Sequence, residues 1–88
     1  MLASSEVVVV LPDNIALHAR PAAQFVRTAV GFSSDIAIAV DGREADAKSL
    51  LAILALGAEG GTELRLTASG DDAPLALDAL RDCVAAFD

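Results

Sequence analysis

The chain has 88 residues and a formal net charge of -7, from 6 basic and 13 acidic side chains. This length supports one hydrophobic core, so we expect a single domain over residues 1–88. The acidic balance argues against a nucleic-acid backbone or an anionic membrane surface as the main partner. No signal peptide or membrane-spanning segment is evident, and the only cysteine, Cys83, excludes an internal disulfide. We therefore expect a cytoplasmic protein.

The first two predicted elements are a strand and a helix. Residues 7–11 form a continuous, largely β-branched apolar run, which predicts a strand covered on both faces. From Pro21 to Gly31 the apolar residues recur at helical spacing and predict the first helix. Its expected buried positions are Ala22, Phe25, Val26, Ala29 and Val30.

The middle of the chain predicts a hairpin and a short helix. Alternating residues 36–40 indicate a second strand, and Asp41-Gly42 predicts a tight turn into a third strand that ends near Asp46. Ser49 is expected to cap a helix over residues 50–56, and Gly57 is expected to end it. Residues 63–68 alternate again and predict a last strand with one face in solvent.

Residues 70–74 are predicted to start the final helix, because acidic residues and an early proline suit a first turn. Cys83 is expected as a small buried residue of this helix. The element order is strand, helix, strand, strand, helix, strand, helix, which indicates a two-layer α+β domain. The predicted buried positions of the final helix are Leu77, Leu80, Val84 and Phe87.

His18 is the only histidine and directly precedes the first predicted helix. The amides of a helix's first turn lack intrahelical partners, so a helix N-terminus favours an anion, and Arg20 adds a full positive charge there. An imidazole is also a competent nucleophile near neutral pH. These features indicate a phosphoryl site contacted by the amides of residues 19, 20 and 22. The alternative is a histidine that only caps or packs in a loop, and spacing alone does not separate the two.

The short helix over residues 50–56 is apolar on every side, although a helix lying on a sheet buries only one side. Some of four residues should therefore face outward as a docking surface, namely Leu51, Ala52, Leu54 and Ala55, unless the loop over residues 58–61 covers them. Arg20, Arg27 and Lys48 are expected to form a positive rim near the helix starts, although scattered solvated charges are the simpler alternative.

Several kinds of site are not supported by the composition. One histidine and one cysteine do not supply a metal-ligand set, and we expect neither a metal nor another cofactor. No glycine-rich nucleotide loop is present, and the few phenylalanines make no stacking platform for single-stranded nucleic acid.

Two short motifs carry a resemblance to a known family. The first is Leu17-His18-Ala19-Arg20-Pro21-Ala22-Ala23, and the second is Ala47-Lys48-Ser49-Leu50 followed by Leu56-Gly57. Together with the element order, they closely resemble HPr, the histidine-containing phosphocarrier protein of the bacterial phosphoenolpyruvate:sugar phosphotransferase system. The resemblance covers nearly the whole chain. It implies an open-faced β-sandwich of βαββαβα order, with three helices on one face of a four-stranded antiparallel sheet.

The resemblance also implies roles for particular residues. His18 would accept a phosphoryl group through Nδ1 from phosphorylated enzyme I and pass it to a sugar-specific IIA domain, while Arg20 would stabilise that group. Ser49 matches a regulatory serine that an HPr kinase/phosphorylase modifies in some bacteria. Leu50, Leu51 and Leu54 match the helix that contacts partners, and we place Arg27 and Lys48 on the same surface. The expected protein is a monomeric phosphoryl carrier without turnover of its own.

The sequence departs from the family pattern before His18. Ala16 stands where a glycine is usual, and residues 12–17 form a longer segment than the common version. Because alanine disfavours positive φ, we expect this loop to follow a different path. The departure suggests a divergent branch or a domain of a multi-domain phosphotransfer protein.

Three other functions are compatible with parts of the sequence. A regulatory, nitrogen-related phosphocarrier would use the same residues without sugar transport. A small acyl-phosphate hydrolase on an α+β scaffold would need a water-orienting amide, for which only Asn14 and Gln24 are available. A small-molecule-binding regulatory module would predict a pocket and a dimer.

Overall fold

The computed structural model describes residues 4–87 and contains the seven predicted elements in the predicted order. The sheet order is β1-β4-β2-β3, and all three strand pairings are antiparallel, which confirms the predicted α+β fold. The elements are β1 Ser4–Val10, α1 Ala19–Ala29, β2 Asp35–Val40, β3 Arg43–Asp46, α2 Leu50–Leu56, β4 Glu63–Ser69 and α3 Ala73–Ala85.

The hydrophobic core lies on one face of the sheet, beneath the three helices. β4 is central and shows the alternation most clearly, because Leu64 and Leu66 are fully buried while Glu63 and Arg65 are exposed. α3 lies against β1 and β4, α2 lies against β3, and α1 contacts both other helices. Within residues 4–87, the opposite face of the sheet carries no helix.

The prediction that β1 is covered on both faces is wrong, because one face of the sheet is uncovered. The strand runs from Ser4 to Val10 and does not bury both of its sides, because Val8 and Val10 are 45% and 56% exposed. In the pairing with β4, Val8 lies opposite Arg65 and Val10 lies opposite Glu63, both on the solvent side. A continuous apolar run predicted two covered faces, but the fold supplies helices to only one.

α1 forms as predicted but begins earlier and ends earlier. Ala22, Phe25 and Ala29 are buried on its inner side. The prediction was wrong for Val30, which is the C-cap residue and is 55% exposed. The helix ends before the apolar pattern does, so Val30 turns away from the core.

The β2–β3 hairpin confirms the predicted tight turn. Val40 pairs with Arg43, which leaves only Asp41 and Gly42 between the strands. Both residues have positive φ, of 51° and 81°. This is the conformation that a two-residue type I′ turn requires and that an Asp-Gly pair favours.

The start of α3 differs from the predicted acidic cap. Asp72 occupies the N-cap position, but its carboxylate does not bond the helix's own amides. It accepts the backbone N–H of Ser33 at 2.9 Å and that of Ser34 at 3.0 Å, together with both serine hydroxyls. Gly70 makes room for this contact, since a Cβ there would lie 2.6 Å from the Ser34 hydroxyl oxygen. The carboxylate therefore ties the α1–β2 connection to the start of α3.

The remainder of α3 follows the sequence pattern. Leu77, Leu80, Val84 and Phe87 are buried as predicted. Cys83 is only partly buried, packed against the edge of the core.

The Asp72 contacts predict a specific acid sensitivity. The Ser34 hydroxyl and then the Ser33 amide lower the pKa of Asp72 from 3.8 to about 2. A depressed carboxyl pKa contributes stability that is complete above the unfolded-state value and is lost as pH falls through the folded-state value. Asp72→Ala should therefore lower the urea midpoint at pH 7, and the gap to wild type should shrink as pH falls from near 3.8 to about 2.

Urea denaturation across that pH range checks this expectation. Asp71→Ala is the matched control, because Asp71 is an exposed neighbouring carboxylate that makes none of these contacts. A gap for Asp72→Ala that stays constant with pH would contradict the account, and so would an equal effect of Asp71→Ala.

Candidate functional site

His18 is the N-cap residue of α1, as the sequence predicts, and its backbone is extended. Its side chain is exposed and makes no capping hydrogen bond to the helix. The flanking residues Leu17, Pro21 and Ala22 are all buried. The fold therefore anchors the backbone on both sides of an imidazole that faces solvent.

The first turn of α1 offers two amides to an anion, not three. The Ala22 N–H already donates to the His18 carbonyl at 2.8 Å, which corrects the expectation that it is free. Pro21 has no N–H. The N–H groups of Ala19 and Arg20 make no hydrogen bond within residues 4–87. These two groups and the helix dipole give the space in front of His18 a positive potential.

Arg20 adds a full charge at the same helix end. Its side chain is exposed and forms no ion pair within the described part of the chain, where Arg65 and Arg81 make the salt bridges. A guanidinium presents several donors in a planar fork that matches phosphate oxygens. Arg20 is therefore available to an anion at the N-terminus of α1.

Arg27 and Lys48 occupy different positions relative to His18. Arg27 is exposed on α1 about two turns after Arg20, so both lie on the same side of the helix. The Lys48 ammonium instead donates to the carbonyl of Phe32 at 2.8 Å, beyond the C-terminal end of α1. An 11-residue helix is about 16 Å long, so Lys48, which directly precedes the Ser49 cap of α2, does not share the positive surface at His18 with Arg20.

α2 exposes the leucines that its apolar sequence implied. Leu51 is 80% exposed, Leu50 is also exposed, and Leu54 is half-buried, while Ile53 and Leu56 face the core. The loop over residues 58–61 leaves Leu51 uncovered, so the alternative in which this loop buries the helix does not hold. We call Leu50, Leu51 and Leu54 the leucine patch.

Ser49 caps α2 as predicted. Its hydroxyl oxygen accepts the N–H of Ala52 at 3.3 Å, and Gly57 ends the helix with a positive φ of 62°. The opposite end of α2 leads to Ala58, whose carbonyl accepts the Leu17 N–H at 2.8 Å. Ser49 therefore lies at the end of α2 that is remote from the His18 loop, next to the leucine patch.

Three surface depressions formed by residues 4–87 lie away from His18, since their linings include neither His18 nor Arg20. One of them is an open hollow on the uncovered sheet face, lined in part by Asp35, Glu44 and Asp46. The exposed position of His18 suits transfer to another macromolecule better than it suits an enclosed small molecule.

The described residues form neither a metal site nor a membrane-spanning helix. Between residues 4 and 87, no three histidine, cysteine or carboxylate side chains come together as a metal site would need. No helix in that range is both long and apolar enough to cross a bilayer.

Sequence reasoning missed the turn that supports His18. Besides the bond from Leu17 to Ala58, Gly60 packs directly on the backbone of Asp13, in the loop before His18. The signal that could have found it is the Gly60-Gly61 pair, since glycine is needed where two backbones approach closely.

Comparison with known proteins identifies the family. The family described as "PTS HPr component phosphorylation site" matches residues 4–86. The chain belongs to the HPr phosphocarrier family of the phosphotransferase system. Phosphocarrier protein HPr of Haloferax volcanii is 46% identical over 77 residues, which cover 85% of each chain.

Further HPr relatives agree in fold and in sequence. An HPr structure from Thermoanaerobacter tengcongensis superposes with a TM-score of 0.88 at 42% identity, covering 92% of this chain and 91% of that one. This likeness confirms the open-faced sandwich. A multiphosphoryl transfer protein of Escherichia coli O157:H7 is 42% identical over 80 residues, which cover 88% of this chain but only 21% of that longer protein.

Proposed function

We propose that this chain relays a phosphoryl group from phosphorylated enzyme I to sugar-specific IIA domains, carrying it on Nδ1 of His18. The supporting observation is the exposed His18 imidazole at the N-cap of α1, beside two amides and an Arg20 side chain that have no partner within residues 4–87. Membership of the HPr family supports the same assignment. The active unit is one domain over residues 1–88, acting as a cytoplasmic monomer without a cofactor.

The transfer exchanges one nitrogen–phosphorus bond for another. The neutral His18 imidazole supplies the electron pair that attacks phosphorus, and the bond to the donor histidine breaks as its electrons return to the donor ring. Because the bonds made and broken are alike, the step is reversible. A phosphoryl transition state needs little covalent help from the protein, so catalysis rests on alignment and charge. The Ala19 and Arg20 amides and the Arg20 guanidinium stabilise the phosphoryl oxygens on the carrier's side.

We expect His18→Ala to abolish phosphoryl acceptance while the fold survives, because the side chain is exposed and outside the core. Arg20→Ala should retain acceptance but slow transfer about tenfold to a hundredfold, since a charge-assisted hydrogen bond contributes about 1.5–3 kcal/mol. Intact-mass analysis after incubation with phosphoenolpyruvate and enzyme I measures acceptance, and rapid-quench kinetics measures rate.

Arg20→Lys serves as the matched control, because it keeps the charge but lacks the planar fork. Its transfer rate should fall between that of wild type and that of Arg20→Ala. A phosphoryl adduct that persists on His18→Ala would disprove the assignment. Equal rates for Arg20→Ala and wild type would show that Arg20 does not act.

The leucine patch is the proposed docking surface for enzyme I. Leu51 has the most to bury, and full burial of a leucine side chain is worth about 1.5–3 kcal/mol. Leu51→Ala should therefore raise the apparent KM for enzyme I about tenfold, with little change in maximal rate. Leu75→Ala, at a leucine that is 66% exposed on α3, should leave both constants unchanged. Phosphotransfer titrations compare the two variants. An equal effect of both substitutions would show that the leucine patch does not contact enzyme I.

Ser49 is the proposed regulatory site for an HPr kinase/phosphorylase. A negative charge there keeps the N-cap and suits the helix dipole, but it adds an unpaired charge beside Leu50 and Leu51. We expect Ser49→Asp to hold or raise stability by up to about 1 kcal/mol and to weaken the apparent affinity for enzyme I. Thermal melts and phosphotransfer titrations on one preparation measure both. Wild-type affinity in this variant would leave Ser49 as a structural cap alone.

A further inference from the structure

The loop before His18 is attached at both ends to the turn that follows α2. At its start, Leu11 donates its N–H to the Thr62 carbonyl and accepts the N–H of Gly61, both at 3.0 Å. At its end, the Leu17 N–H donates to the Ala58 carbonyl at 2.8 Å. Leu11, Leu17 and Ala58 are all buried, so these attachments are shielded from water.

Between those attachments, residues 12–16 bend over the turn and Gly60 lies beneath them. A Cβ on Gly60 would lie 2.1 Å from the Asp13 carbonyl oxygen and 2.9 Å from that of Pro12. Both are backbone atoms, so no side-chain rotation relieves the overlap. Only glycine lets the two backbones approach this closely.

The backbone of this loop does not place Ala16 in the left-handed region that favours glycine. Within residues 4–87, Asp41 is the only non-glycine residue with positive φ, so Ala16 adopts an ordinary backbone conformation. A hydrogen bond from the Ile15 N–H to the Pro12 carbonyl, at 3.0 Å, closes a turn inside the loop. The loop therefore contains its own turn, and outside this turn its backbone packs on Gly60.

The same turn is joined covalently to α2. Gly57 ends the helix, and Ala58 follows it directly. A short connection, held by the backbone hydrogen bonds of Leu11 and Leu17, therefore links the leucine patch, on α2, to the backbone that carries His18. The position of His18 relative to the leucine patch is here called the offset. A partner that docks on the patch meets His18 at a fixed offset only while this connection keeps its geometry.

We propose that Gly60 is a positioning residue for phosphoryl transfer, because its packing on Asp13 sets the offset between His18 and the leucine patch. This inference rests on the proposed function, in which His18 accepts a phosphoryl group from a partner docked on that patch. Gly60 itself touches no reacting atom. Its effect passes through the backbone of residues 12–17 to His18.

The test uses Gly60→Ala in the full chain. The added Cβ must displace residues 12–14, and a shift of about 1 Å at a reacting group can cost on the order of a hundredfold in rate. We expect the maximal rate of transfer from enzyme I to fall about tenfold to a hundredfold, with an unchanged KM, because the leucine patch is untouched. Amide NMR shifts of residues 17–20 should move in the same variant.

Two matched glycine substitutions separate positioning from general damage. Gly31→Ala adds a methyl group at the far end of α1, where its closest neighbour is the Thr28 carbonyl oxygen at 3.3 Å. Gly42→Ala strains a positive-φ turn, at 81°, without any steric contact. Both should keep the wild-type rate per folded molecule, even where Gly42→Ala lowers the melting temperature.

An insertion keeps the proposal testable if Gly60→Ala does not fold. One glycine inserted between Asn14 and Ile15 retains Gly60 but adds slack to the loop, and surface loops tolerate such insertions. The same loss of rate is expected. A wild-type rate in folded Gly60→Ala, or in the insertion variant, overturns the inference.

The two proposals fail in different ways. If wild-type protein accepts no phosphoryl group, the proposed function fails. The amide shifts still report whether Gly60 holds the His18 loop, and unchanged shifts at residues 17–20 in Gly60→Ala would reject the positioning role on its own.

Discussion

The functional geometry depends on how α1 is held against the core. Ala22, Phe25 and Ala29 are completely buried along its inner side, and Leu17 is buried just before it begins. Truncating a buried phenylalanine typically costs about 3–5 kcal/mol, so the helix cannot rotate or slide without a large loss of stability. This apolar packing fixes the position and direction of the N-terminus of α1. The exposed polar residues His18 and Arg20 are placed by this apolar packing together with the buried backbone hydrogen bond from Leu17 to Ala58.

The distribution of charge explains how an acidic chain can carry a negatively charged phosphoryl group. The net charge is -7, yet the exposed side of α1 carries Arg20 and Arg27. Several carboxylates instead lie on the uncovered sheet face, where Glu44 pairs across from Ala39 and Glu63 from Val10. Interactions between exposed charges are largely screened beyond about 8–10 Å at physiological salt. A phosphoryl group at His18 therefore experiences Arg20 and the helix dipole more than the net charge of the molecule.

Local sequence patterns were sufficient to predict the helices, strands and turns, but they did not reveal contacts between residues that are distant in sequence. The Asp41-Gly42 turn and the Ser49 cap depend on neighbouring residues only, so the sequence predicts them correctly. An apolar run such as that of β1 looks the same whether one face or both are covered, and only the assembled sheet exposes Val8 and Val10. Asp72, Lys48 and Gly60 have partners distant in sequence, so the sequence pattern did not reveal the hydrogen bonds of Asp72 and Lys48 and gave Gly60 no role. His18 was found because its signal, a histidine before a helix, is local.

The central claim is that the N-terminus of α1 holds a phosphoryl group on His18. The most direct test is a pair of ¹H–¹⁵N spectra of the wild-type protein, before and after phosphorylation by enzyme I and phosphoenolpyruvate. If the account is right, a phosphorylated Nδ1 appears on His18, and the largest amide shifts fall on Ala19 and Arg20, whose N–H groups donate to no acceptor between residues 4 and 87. Phosphorylation at another residue, or amides of Ala19 and Arg20 that do not respond, would contradict it.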